Sequence, residues 1–197
     1  MRRSILTAFA VVLFTVAAAR AASAQRQALI QLDSADTQIN FTLGGFPHTT
    51  TGSFKLRRGE IRVDPETGNA TGSIVVDAAS GATGIAMRDR RMKDGILEVD
   101  RYPEISFAPR LVRGHPLEQG AFTMEVSGVM VLHGHAHRLT LEAEIKRNGD
   151  AFTAATHFVI PYVRWGLKNP GWLFLTVSDE VAIDATTAGR VTWVQPR

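Results

Sequence analysis

Apolar and polar residues alternate along most of this chain. Ile39, Phe41 and Leu43 alternate with Asn40 and Thr42. Phe122, Met124 and Val126 alternate with Thr123, Glu125 and Ser127. Leu139, Leu141, Ala143 and Ile145 repeat the pattern, as do Phe152, Ala154, Thr156, Phe158 and Ile160. A period of two places one set of side chains on one face of a strand, which predicts half-buried antiparallel strands, dry on one side and wet on the other. Turn residues separate the runs: Asp64–Asn69, His133-Gly134, and Arg147–Asp150 with its Asn-Gly hairpin signal. About eight strands at close spacing argue an all-β barrel or sandwich. The region from about Ala78 to Pro103 lacks the alternation. Within it, Ile85 to Leu97 predicts a short helix, broken near Gly95. Pro161 and Pro170 forbid an unbroken central strand over Ile160–Trp172, which reads as an aromatic-rich loop closing a barrel end or covering an edge.

The N-terminus has a different pattern. Met1-Arg2-Arg3 is basic, Ile5 to Ala19 is a short apolar run, and Ala22-Ser23-Ala24 is a small-x-small cleavage pattern. This predicts a secretory signal over residues 1–24 and a single domain over 25–197, located in the periplasm or secreted. The apolar run is shorter than the ~20 residues that span a bilayer, so no stable membrane insertion is expected. The signal carries Arg2, Arg3 and Arg20, three of the 22 basic residues, and no acid. Its removal leaves as many basic as acidic residues, 19 of each. The basic pI therefore gives no reason to expect nucleic acid. The absence of cysteine excludes disulfides, thiolate catalysis and cysteine-ligated zinc.

Three features carry candidate chemistry. His133, His135 and His137 stand at alternate positions, and imidazoles at i and i+2 of a strand can chelate zinc or copper or respond to pH. Gly134 puts them at a turn instead, where the rings need not converge, so a polar hairpin tip is the simpler expectation. Arg88, Arg90, Arg91 and Lys93 form a basic run that could hold an anionic head group at a barrel mouth, or be a solvated face balanced by Asp89 and Asp94. The inward positions Ile39, Phe41, Phe54, Phe107, Phe122, Met124, Leu141, Phe158 and Leu175 could line an apolar tunnel or fill a core. No G-x-S-x-G elbow, P-loop, G-x-G-x-x-G or H-E-x-x-H is present, so a binder is expected rather than an enzyme, with no cofactor. The sequence leaves open whether the chain is a monomer or a homodimer.

Three segments carry a family resemblance. Arg88, Asp89, Tyr102, Pro103 and Phe107 match an R-D-x-H-L element followed by a Y-P-x-(I/A)-x-F strand entry. Gly128, Gly134, Thr140 and Leu141 match a G-x-L-T-x-x-G-V-T-x-P-V-T-L hairpin. In order and spacing these resemble the YceI-like family of bacterial polyisoprenoid-binding proteins, from about Leu32 to Asp184. The segment Ile160–Asn169 resembles a variant C-terminal half within that family. The chain departs at Arg91, often histidine there, and at Ile96-Leu97, often two phenylalanines. His135, Ala136 and Arg138 replace the usual Val, Thr and Pro. The resemblance implies an extended, lipocalin-like antiparallel barrel in the periplasm whose apolar tunnel holds a polyisoprenoid or other amphiphilic lipid. It places the histidines in a turn.

Overall fold

A computed structural model describes residues 26–114, 118–171 and 176–195. It contains nine antiparallel strands: β1 (Gln27–Leu32), β2 (Gln38–Phe46), β3 (Thr50–Val63), β4 (Ala70–Ala82), β5 (Glu104–Arg113), β6 (Gly120–Leu132), β7 (His135–Asn148), β8 (Ala151–Ile160) and β9 (Thr176–Val194). From β2 to β9 each strand pairs with the next, and β9 returns to pair with β2, closing the barrel. β1 also pairs with both β3 and β9, further along the same slot as β2. The nine strands therefore make eight staves, one of them interrupted at residues 33–37. There the Asp33 N–H donates to Ala188 O, and the Asp36 carbonyl accepts from Ala188 N. Closure pairs every stave with two neighbours, although the β7–β8 ladder covers only 143–148 against 151–156 and the β4–β5 ladder only 74–77 against 104–107.

The alternating runs became strands with one face inward, as expected. In β6 and β7 the register runs unbroken from Gly120↔Arg147 to Leu132↔His135. Their turn has positive φ at both His133 and Gly134, 51° and 76°, the geometry a two-residue hairpin needs. The next turn falls on Gly149-Asp150, between paired Asn148 and Ala151, one residue later than the Asn-Gly signal suggests. Two boundaries also differ from expectation. β4 runs to Ala82, past Ala78, because its end pairs with Ser53 and the Ser80 hydroxyl accepts from Lys55 N at 2.8 Å. Those small residues carry no alternation to read. The helix does not break at Gly95: α1 (Ala86–Arg90) runs into a π-helical turn, Arg91–Leu97, and ends at Glu98 in the left-handed conformation.

The two ends of the barrel are unequal. At one end are the tight turns 64–69 and 149–150 and the connection from β5 to β6. At the other end are the helix, the hairpin at His133-Gly134 and the connection from β8 to β9. The tight-turn end is filled by Ala28, Ile145, Phe152 and Val191, and by Val63, Ala70 and Val112.

Aromatic rings lie against glycines on neighbouring strands. An added Cβ would come within 2.5 Å of the Phe41 ring at Gly52, 2.6 Å of Phe54 at Gly81, 2.7 Å of Phe107 at Gly128 and 2.7 Å of Phe152 at Gly189. The missing side chain lets each ring lie along the wall. At Gly52 the added atom would also meet Ala82 O at 2.5 Å, a backbone group that cannot swing away. Gly52→Ala should therefore destabilise the barrel by roughly 1–3 kcal/mol in urea unfolding. Gly95→Ala, where an added Cβ meets nothing within 4 Å, should be neutral or slightly stabilising.

Candidate functional site

The barrel interior is hollow in two places. The larger hollow, about 350 Å3, lies toward the end that carries the helix. The smaller, about 170 Å3, lies deeper, toward the tight turns. Along β2, Phe41 faces the larger and Ile39 the smaller. Along β9, Ile183 faces the larger and Ala185 the smaller. Met130, Leu139 and Phe158 line neither and pack in the same cluster as Phe41 and Phe107. Along β6 and β8, Met130 and Phe158 fall between the two linings and narrow the interior to a waist on that side, while along β2, β5 and β9 the linings adjoin.

The expected lining residues divide accordingly. Phe41 and Phe54 line the larger hollow, and Ile39, Phe107, Met124 and Leu141 the smaller. Phe158 sits in the waist. Phe122 packs near the tight-turn end and borders a separate shallow groove with Glu144 and Lys146. Leu175 lies outside the described residues. Several lining residues escaped the strand pattern because they are not on strands. Met92, Ile96 and Leu97 come from the π turn, and Tyr162 and Leu167 from the loop after β8. The wider π turn brings Met92, Ile96 and Leu97 all to the hollow. Ile96 and Leu97, where the family resemblance departs, are therefore part of the wall.

Polar groups collect at the rim. Arg88 and Arg91 border the larger hollow, with His48, Thr83 and Pro170. Arg90 is exposed and does not. Arg91 Nη2 donates to Pro170 O at 3.1 Å, joining the helix to the 161–171 loop. Asp89 faces the other way: its Oδ1 accepts from Thr83 N at 2.7 Å and from the Thr83 hydroxyl at 2.6 Å. These bonds anchor α1 to the end of β4 and so aim the neighbouring arginines. The loop is pinned separately. The Tyr162 hydroxyl donates to Ser178 O at 2.7 Å, and burial, with Asp179 nearby, raises its pKa to about 12, keeping it a neutral donor. Asn169 Nδ2 donates to Asp179 Oδ1 at 2.7 Å.

The three histidines stand at this end but do not converge. His133 packs on Tyr102 with ring centroids 4.4 Å apart. Its Nε2 is 3.5 Å from Glu98 Oε2, close enough for an ion pair when protonated but not aligned as a hydrogen bond. His137 stacks flat on Trp165, 4.1 Å between centroids. His135 is exposed. Among the described residues no group of three or more His, Asp or Glu is placed to hold a metal ion. A further pair, His157 Nδ1 and Asp184 Oδ1 at 2.7 Å, is exposed on the outside of β8 and β9, away from both hollows.

An eight-stave barrel with an apolar interior and one polar rim defines the class as lipocalin-like. The YceI-like domain model matches residues 30–188, and the chain belongs to that family. Two solved structures share the fold. One is a polyisoprenoid binding domain from Saccharophagus degradans implicated in plant cell wall breakdown: 19% identity, TM-score 0.63, covering 83% of this chain and 98% of that one. The other is BcnA from Burkholderia cenocepacia: 18% identity, TM-score 0.65, covering 80% and 98%. A comparison with curated proteins finds no match.

Two pH effects follow. Hydrogen bonds from the Thr83 hydroxyl and then the Thr83 N–H hold the Asp89 carboxyl below its ordinary 3.8. A depressed carboxyl contributes stability above the unfolded value and loses it as pH falls through the folded one. Asp89→Asn should thus be less stable than wild type at neutral pH, and the gap should close in acid, below about pH 4, as read by denaturant midpoints. Burial, and secondarily His135, lowers the His137 pKa from 6.5, and its buried Nε2 has no hydrogen-bond partner among the described residues. The unfolded chain then takes up a proton that the folded one resists, so this contribution is lost as pH falls below 6.5. His137→Phe, which keeps a ring against Trp165, should lose less thermal stability than wild type between neutral pH and about pH 5.

Proposed function

We propose that this protein is a periplasmic carrier that holds the hydrocarbon tail of a polyisoprenoid, or a similar amphiphile, inside the barrel. One observation carries the reading: the larger hollow is walled by hydrocarbon below a rim that holds two guanidinium groups. Its volume of about 350 Å3 lies within the usual ~300–1,000 Å3 of small-molecule sites. The wall returns roughly 25 cal/mol for each Å2 of prenyl surface withdrawn from water. Arg88 and Arg91 would meet the polar head, and a phosphate or diphosphate there would gain charge-assisted hydrogen bonds. The name of the Saccharophagus degradans domain points to the same ligand class, and the fold likeness supports it. Binding rather than catalysis is the reading, because the groups facing the interior are overwhelmingly apolar. Export rests on the pattern of residues 1–24, and intact-mass measurement of the periplasmic protein should find Gln25 as its first residue.

The ligand is tested with delipidated protein and two probes, farnesol and farnesyl phosphate. Both should bind. Ile96→Trp, which fills the larger hollow, should weaken both by about tenfold or more. Arg91→Gln should weaken farnesyl phosphate by about five- to tenfold and leave farnesol nearly unchanged. Failure of both probes to bind, with mass spectrometry finding no lipid in protein purified from its native host, would remove the carrier reading.

A further inference from the structure

The most exposed large apolar side chains flank one opening. Among the described residues Met87 is 82% exposed and Phe46 72%, against 48% for Ile85 and Trp193 and 44% for Val159. Phe46 ends β2 and borders the larger hollow. Met87 is on α1, one residue from Arg88 and four from Arg91, both of which border that hollow. Residues four apart share a helix face, so Met87 stands beside Arg91 on the rim. Two bare hydrocarbon groups thus rise from different elements around one mouth, where water should disfavour them.

Charge surrounds them. Arg88, Arg90, Arg91 and Lys93 lie within six residues, and no carboxylate among the described residues forms an ion pair with them. Asp89, the one acid among those six residues, bonds to Thr83 and is also near enough to Lys93 and Arg88 to offset part of their charge. Residues 25–197 are formally neutral, so this positive charge is local to the rim rather than a property of the whole surface.

We propose that the protein docks on an anionic lipid bilayer with the mouth of the larger hollow against the membrane, Phe46 and Met87 entering the interface and the α1 cations meeting the head groups. The proposal rests on the lipid-carrier reading and adds where the lipid enters. A prenyl tail passing from bilayer to hollow would then never cross open water. Apolar tips within a cationic ring suit an interface of acyl chains beneath anionic head groups. A protein partner would need a complementary acidic, apolar surface.

The barrel runs from Gln27 to Val194, so the chain from Gln25 is the species to test, free of the N-terminal apolar run. It is sedimented with vesicles of phosphatidylcholine alone and of phosphatidylcholine mixed with phosphatidylglycerol. Farnesol binding is measured separately without vesicles. The protein should partition onto the mixed vesicles, more weakly onto the neutral ones, and less in high salt. Met87→Ser combined with Arg90→Glu changes two residues that do not line the hollow. It should reduce partition by at least about tenfold while farnesol affinity stays within about twofold. No partition by wild type, partition indifferent to phosphatidylglycerol, or equal partition of wild type and variant would each overturn the docking. Loss of farnesol binding with vesicle binding intact would leave docking standing and remove the carrier reading instead.

Discussion

Everything proposed for this barrel depends on how eight staves can enclose empty space. A barrel of that size has an interior just wide enough to be filled by its own side chains, so hollowness has to be built. Here phenyl rings lie across glycines on neighbouring strands: Phe41 on Gly52, Phe54 on Gly81, Phe107 on Gly128 and Phe152 on Gly189. A ring held in the depth of a missing side chain adds its area to the wall without projecting far inward. The same contact keeps the wall dry where a bare glycine would expose backbone, and it ties adjacent strands laterally. Close packing elsewhere in the interior leaves little slack, so the glycines fix both the strand spacing and the shape of the chambers.

The rim depends on a different kind of interaction. Strand order carries the β4–β5 and β8–β9 connections to the same end, but this only makes them neighbours. Their positions come from a few polar contacts: Asp89 on Thr83, Arg91 on Pro170 O, Tyr162 on Ser178 O and Asn169 on Asp179. Each joins a connection to a strand end or to the other connection. The residues that would meet a ligand's head group are therefore set by the same bonds that shape the opening. The apolar chamber below is set partly by strand register and partly by the same two connections, which supply Met92, Ile96, Leu97, Tyr162 and Leu167 to its wall. Head and tail recognition are therefore coupled through the connections.

The difference between strands and connections explains which features could be read in the sequence. Alternation reports which face of a strand turns inward, so Ile39, Phe41, Phe107, Met124 and Leu141 could be identified as inward-facing before any fold was known. It cannot report depth along the barrel, which places Phe122 near the closed end and Phe158 in the waist. It is silent on Met92, Ile96 and Leu97, because they lie on a helical turn outside the strands, where a period of two has nothing to report. The split stave was hidden as well: β1 and β2 become one stave only by pairing with β9, over a hundred residues away. The histidines were legible through their turn: Gly134 argued against convergence, and positive φ at His133 and Gly134 goes with rings that lie on Tyr102, in solvent and on Trp165.

The waist sets the remaining constraint on what the interior can accept. A ligand confined to the larger chamber meets preformed walls and leaves strand positions unchanged. A longer chain must pass Met130, Leu139 and Phe158 to reach the second chamber. The β7–β8 ladder ends at Ala143↔Thr156, so no strand pairing ties Leu139 to Phe158, and passage can come from side-chain rotation or from parting of that seam. Of the three, Met130 has the most conformational freedom, an unbranched thioether that repacks at small cost. Phe158 is bulky and stiff, and it is held among the same neighbours that support Phe41 and Phe107. In the proposed carrier the waist would therefore grade tails by length: a short tail would meet existing surface, and a longer one would have to displace packed side chains to gain the hydrocarbon contacts beyond.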